Sequence, residues 1–335
     1  EAASPTPTET PSDPPPAVST LPDGTIRIGD SPFFPLGMFE VPDIAELAEA
    51  GFNVVIGREA PDFTREQEMT FYLDRCRELG LRAVLTVGSY VLPELERSKL
   101  REAVCRVKDH PALLGYLVLQ RPSESGIESE YLETVRTIIR DVDPFHPTFI
   151  TEETQVMFPG YADTTDIFVP TWFPVPFASL AATGNVLKRA YEAKKGDGSV
   201  LMCLQAFGRA EVDRRHPTLK ESRVMAWMAL IHEAKGLFWW SCEETKRSGH
   251  WGDIKEIAKD IEAFHPFILN GNAGEIAVSD TSPAVFLRTW TLGQETLVLV
   301  ANAEAKAGGI TLPGEWNSAK SILRGRPSIE PGQNG

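Results

Sequence analysis

Eight short apolar runs alternate with helical stretches between residues 33 and 264, and this alternation limits the fold more than any other feature. The runs lie at 33–39, 52–57, 81–87, 114–119, 148–151, 166–170, 200–205 and 237–241. Helical patterns lie at 43–50, from Thr64 to Gly80, near 93–108, and at 129–142, 180–194, 218–234 and about 251–264. Thr64 with Gln67, three residues on, reads as a capping box. Gly51, Gly80 and Gly236 close helices ahead of strands. Eight strands joined mostly by helices, over about 235 residues, match a (β/α)8 barrel. A doubly wound sheet predicts fewer strands and a Gly-rich phosphate turn after the first. No G-x-G-x-x-G or Walker-type run occurs. The predicted class is α/β, a (β/α)8 TIM barrel over residues 22–268.

Outside that block the pattern changes. Residues 1–21 are dominated by Pro, Thr, Ser, Ala and Glu, a composition that buries too little surface to fold, so a linker is expected. This stretch, in a chain that starts with Glu, is read as export, so an extracytoplasmic location is expected: secreted, periplasmic or lipid-anchored. Residues 275–279, 284–291 and 296–302 alternate with period two. With 310–312 and 319–323 they predict a small all-β appendage over 269–325, its hairpin turning at Gly293-Gln294-Glu295. A polar tail at 326–335 follows.

Charge and cysteine usage narrow the function. The chain carries 47 acidic against 33 basic residues, a net charge of −14, which suits neither nucleic acid nor an anionic membrane. No run of 18 apolar residues occurs, so no transmembrane segment is expected. Cys76, Cys105, Cys203 and Cys242 form no CxxC and read as buried free thiols. The six histidines show no HxH or HExxH spacing, and no cofactor or metal is expected. The G-x-S-x-G elbow of serine hydrolases is absent.

Barrel enzymes place their chemistry at the carboxyl ends of the strands. Those ends hold Glu40; Arg58 and Glu59; Ser89 and Tyr90; Gln120 and Arg121; Glu152 and Glu153; Thr171 and Trp172; Gln205 and Phe207; and Trp240, Glu243 and Glu244. Acids, amides and indole rings together suit a sugar, whose ring faces stack and whose hydroxyls take paired hydrogen bonds. Trp239 and Trp240 are adjacent, so they face opposite sides of their strand and only one reaches the mouth. One of Glu152 and Glu153 is open to a loop-capping role. Glu243 and Glu244 are open to a solvated one, with Lys246 and Arg247 close by.

Five stretches carry a resemblance to a known family. They are Phe33-Phe34-Pro35-Leu36-Gly37-Met38-Phe39, Glu49-Ala50-Gly51-Phe52-Asn53, His110-Pro111-Ala112-Leu113-Leu114-Gly115-Tyr116, Gln205-Ala206-Phe207 and Ala234-Lys235-Gly236-Leu237-Phe238-Trp239-Trp240-Ser241. Over about residues 22–302 the chain resembles the (β/α)8 glycoside hydrolases of the large retaining superfamily, especially bacterial members with a short C-terminal β domain. Such relatives follow His-Pro-Ala-Leu-Leu-Gly-Tyr with Asp-Glu-Pro, where this chain has Gln120-Arg121-Pro122. Strand seven, where retaining relatives often place a nucleophile, offers Gln205. Neither an amide nor an arginine protonates a leaving group.

Two outcomes stay open. In one, O-glycosidic bonds are hydrolysed by other mouth acids, with Glu152 and Glu243 as the pair and Glu59 as a third candidate. In the other, a sugar groove persists without hydrolysis. In both the partner is an oligo- or polysaccharide. Trp172 and Trp240 are expected to stack sugar rings, and Gln120, Arg121 and Gln205 to bind hydroxyls or an anion, with Glu40, Arg58 and Tyr90 completing the groove. Arg58 and Arg121 at one mouth point to an acidic sugar.

Overall fold

The structure is a computed structural model that describes residues 17–56, 66–91, 94–195, 198–209, 213–279 and 283–304. Three short strands open it: β1 (Val18–Thr20), β2 (Ile26–Ile28) and β3 (Ser31–Phe33), paired antiparallel in that order. Part of the expected linker is therefore strand, because Val18 is apolar and packs with Ile26.

The barrel strands follow: β4 (Leu36–Met38), β5 (Val54–Ile56), β6 (Arg82–Thr86), β7 (Leu113–Gln120), β8 (Thr148–Glu152) and β9 (Ile167–Trp172). Next come β10 (Ser199–Val200) and β11 (Met202–Gln205), one rung broken at Leu201, and β12 (Leu237–Trp240). Both β10 and β11 pair with β9, each rung pairs in parallel with the next, and β12 pairs with β4, which closes eight rungs into a barrel.

Helices α1 (Ile44–Glu49), α2 (Glu66–Glu78), α3 (Arg97–Val107), α4 (Ser129–Val142), α5 (Phe158–Tyr161), α6 (Ala182–Lys194) and α7 (Leu219–Ile231) fill the connections. Two more, α8 (Cys242–Arg247) and α9 (Trp251–Asn270), follow β12. Local chemistry sets several starts. Asp43 accepts from the N–H groups of Ala45 and Glu46 at 2.9 and 3.2 Å. Thr218 and Glu221 form a reciprocal capping box at the start of α7. The box expected at Thr64 and Gln67 lies outside the described side chains.

Period two along each strand splits the core into two layers. Val54, Ile56, Val84, Leu114, Leu117, Phe149, Val169, Cys203 and Phe238 fill the lumen, and Val18 and Ile26 from the opening hairpin join them. The alternate residues, Met38, Val55, Tyr116, Ile150, Phe168, Met202 and Trp239, pack outward on the helices. Strand β7 departs from strict alternation. Its register shifts against β6 at Ala83/Val84 and against β8 between Leu117 and Leu119. The first shift sits at Gly115, where a Cβ would collide with the Pro147 carbonyl and the Phe149 ring.

The last sheet is antiparallel: β13 (Asn272–Ala273), β14 (Ala277–Val278), β15 (Val285–Leu292) and β16 (Glu295–Asn302). Its hairpin loop is only Gly293-Gln294, with Gly293 at φ 62°, and Glu295 already belongs to β16. Trp290, Leu297 and Leu299 extend the helix-facing core, so this sheet packs on the barrel. Arg288 donates to the Ile231 carbonyl at 3.0 Å and to Glu233 at 2.6 Å. The candidate strands at 310–312 and 319–323 and the tail lie outside the described residues.

Candidate functional site

A pocket of about 140 Å³ opens at the carboxyl ends of the strands. The lining comes from the ends of β4, β7, β8, β9, β11 and β12, and the barrel order sets who faces whom. Phe39 and Trp240 come from adjacent rungs β4 and β12, with ring centroids 5.0 Å apart. Four rungs away, across the mouth, β7 and β8 supply Gln120, Arg121, Thr151 and Glu153. One side between them is formed by Thr171 and Phe173 after β9, and by Cys203, Phe207, Arg209 and Arg214 on and after β11.

Gln120 reaches the lining because β7 is bulged. Leu117 faces the lumen, so strict alternation would turn Leu119 inward and Gln120 outward. The extra residue between the Leu117 and Leu119 pairings resets the parity, and Gln120 pairs with Thr151, another lining residue. The strand then ends sharply. Arg121 sits in the left-handed region at φ 49°, ψ 58°, although it carries a Cβ and precedes a proline. Its N–H donates to the Thr151 carbonyl at 2.7 Å, which holds the turn. Its guanidinium pairs with Glu124 at 3.0 Å.

The two acids ending β8 separate. Glu152 is fully buried on the outward side, and its carboxylate accepts from the Ser123 hydroxyl (2.8 Å), the Ser123 N–H (3.2 Å), the Glu153 N–H (2.8 Å) and the Thr154 N–H (2.7 Å). It caps the loop and ties it to the turn after β7. Glu153 lines the pocket instead. Burial raises the pKa of its carboxyl above the ordinary value, and Arg121 and Arg214 pull the other way without prevailing. The acid that reaches the mouth is thus Glu153 and not Glu152. Phe149 and Thr151 lie on the inward side, so the parity of β8 carried that signal.

Parity also relocates Trp172. Val169, Thr171 and Phe173 face inward, so Trp172 packs against the helix-facing core and Phe173 takes the place expected for it in the lining. On β12 the split falls as the alternation demands: Trp239 is fully buried toward the helices and Trp240 lines the mouth. Gln205 faces inward, but its amide is consumed. Its Oε1 accepts from the Val175 N–H at 2.9 Å, and its Nε2 donates to the carbonyls of Val175 and Phe207 at 3.0 Å each. It ties the loop after β9 to the loop after β11.

Three further expected residues stand off the lining. Glu243 lies on α8, about half exposed and paired with Arg247 at 2.7 Å, because the chain turns into a helix directly after Ser241. Tyr90 is buried in the helix-facing core. Glu40 has φ 52° at the end of β4, and its carbonyl accepts from the Glu243 N–H at 3.2 Å. Arg58 and Glu59 lie outside the described residues.

Arg209 and Arg214 also line the pocket, although neither stands at a strand end. Their backbones exchange two hydrogen bonds, Arg209 N–H to Arg214 O at 2.6 Å and the reverse at 3.0 Å, in an isolated antiparallel bridge. No periodic pattern announces such a bridge. Both guanidinium groups lie over the Phe207 ring, at 5.4 and 5.6 Å from its centroid. Cys203 also lines the pocket, and burial drives its thiol pKa far up, so it stays a neutral thiol. Cys76 and Cys242 are buried as well, whereas Cys105 is exposed. Among the described residues no group of three His, Cys, Asp or Glu is placed to hold a metal ion, and no helix is long and apolar enough to cross a membrane.

No family model and no curated protein sequence matches the chain. Solved structures do share its fold. A family 39 glycoside hydrolase from Bacteroides cellulosilyticus WH2 superposes with a TM-score of 0.57 at 10% identity, over 90% of this chain and 76% of that one. A GH2 beta-galacturonidase from Eisenbergiella tayi gives 0.51 at 12% identity, over 74% and 54%. The Parabacteroides merdae beta-glucuronidase gives 0.48 at 11%, over 68% and 34%, so the chain spans only about a third of that enzyme and about half of the E. tayi one. The chain thus has the barrel architecture of glycoside hydrolases at low sequence identity.

Proposed function

We propose that the chain is a carbohydrate-binding barrel on a glycoside hydrolase framework, holding a saccharide at the mouth without cleaving it. The observation that carries this reading is Gln120, which the β7 bulge aims into the lining. Its amide both donates and accepts, as sugar hydroxyls require, but it has no proton to give a leaving group. Across the mouth, Trp240 and Phe39 supply aromatic faces for a ring. The glycoside hydrolases that share the fold are in keeping with a carbohydrate ligand.

Hydrolysis needs two carboxyl groups, about 5–5.5 Å apart for retention or about 6.5–9.5 Å for inversion. Among the described residues the lining has one, Glu153. A second reading rests on that residue: a half-buried carboxyl with a raised pKa suits a proton donor. Glu59, after β5, would be its partner.

Titration calorimetry with neutral and acidic oligosaccharides, run beside release of aglycone from an aryl glycoside panel, separates the two. Saturable binding that Trp240→Ala abolishes, with no turnover, is the expected result. Turnover that falls by about a hundredfold or more in both Glu153→Gln and Glu59→Gln would establish hydrolysis and end the binding-only reading.

A further inference from the structure

The pocket has a charge the rest of the chain does not share. Acidic residues outnumber basic ones by 47 to 33, yet three arginines, Arg121, Arg209 and Arg214, line the pocket beside one carboxyl, Glu153. Among the described residues none of the three lies within ion-pair distance of Glu153. Arg121 is paired with Glu124, on the far side of its turn. Arg214 acts on the Glu153 carboxyl only at a distance, and among the described residues neither Arg209 nor Arg214 has an ion-pair partner.

Their geometry is costly unless something answers it. Residues that exchange both backbone hydrogen bonds in an antiparallel bridge stand directly opposite, with side chains on one face. Like charges in that relation destabilise the pair. Here Phe207 takes part of the load, since both guanidinium groups stack on its buried ring. One nitrogen of Arg214 also donates to the Phe173 carbonyl at 2.7 Å. Stacking and this anchor hold two guanidinium forks in place before any ligand arrives, and donors so held suit an anion with paired oxygens.

We propose that the saccharide bound at this mouth is an acidic one, bearing a carboxylate or a sulfate ester, and that Arg209 and Arg214 receive that anion. This rests on the carbohydrate reading above. Gln120 and Trp240 then hold the ring, and the arginine bridge selects the charge. A bare anion would make no use of the aromatic pair at Phe39 and Trp240.

The test pairs each charged ligand with its own neutral form. Gluco-, galacto- and mannuronic oligosaccharides are titrated against their methyl esters, and sulfated oligosaccharides against the desulfated chains, with inorganic sulfate as a further arm. At least one charged form should bind at least about tenfold tighter than its neutral partner. Arg209→Gln should remove most of that preference, and the double variant with Arg214→Gln all of it, the charged forms losing more affinity than their neutral partners. Arg209→Gln leaves the Phe173 anchor intact, so it reports on charge even if the double variant unfolds. Equal affinity for charged and neutral forms overturns the acidic ligand and leaves the carbohydrate reading standing. No binding by any saccharide, with or without binding of sulfate alone, overturns both.

Discussion

The lumen of the barrel and the layer between strands and helices are built from neighbouring residues of the same strands, yet they put polar and aromatic groups to different uses. Toward the helices, Glu152 accepts four hydrogen bonds and Trp239 is fully enclosed. Toward the mouth, Glu153 and Trp240 line a pocket. One step along the chain separates a group consumed by the fold from a group left to a ligand. The difference teaches that residue type at a strand end says little until its side of the strand is known.

Breaking the pairs one residue at a time tests this. The largest contrast is expected on β12. Trp239→Ala empties a closed site and should lower unfolding free energy by about 3–5 kcal/mol. Trp240→Ala should cost far less stability and abolish saccharide binding. Urea unfolding of both variants checks the point, and equal losses would show that the two layers are not distinct. Strand β8 gives the next contrast. Glu152→Ala leaves the Ser123, Glu153 and Thr154 donors without their acceptor and should cost about 2–3 kcal/mol, whereas Glu153→Ala should be close to neutral. Thermal melts that rank the two the other way would reverse the assignment.

The smallest effect is a pH dependence at Glu153. Burial raises its folded pKa above the unfolded value, so the fold favours the neutral carboxyl. That contribution is fully present below the ordinary glutamate pKa and is lost as pH rises through the folded value. Glu153→Gln, neutral throughout, should therefore melt higher than the parent at neutral pH, with the gap closing in acid. A gap that widens in acid would mean that the arginines outweigh burial.

Much of the barrel was legible in the chain. Gly and Pro punctuation and apolar runs located all eight rungs, and the adjacency of Trp239 and Trp240 required that they part. The site was less legible. Parity along 149, 151 and 153 carried the signal for Glu153 as the inward acid, although Glu152 was the expected one, and parity along 169, 171 and 173 carried it for Phe173 in place of the expected Trp172. Gln120 could not be placed by parity, since a bulge reset it. Nor could Arg209 and Arg214, which owe their position to a two-residue bridge in a loop.

What the sequence determined by itself is the alternation of strand and helix, and with it the barrel, because local patterns of burial repeat along the chain. It also determined that amides stand at the ends of β7 and β11. Only the tertiary structure decided which of these amides is available. Gln205 is held by Val175 and Phe207, contacts made through loop backbone, while Gln120 is turned inward by a register shift against β8. Both depend on how separate segments meet in space, and that is set by packing between them, not by the residues on either side.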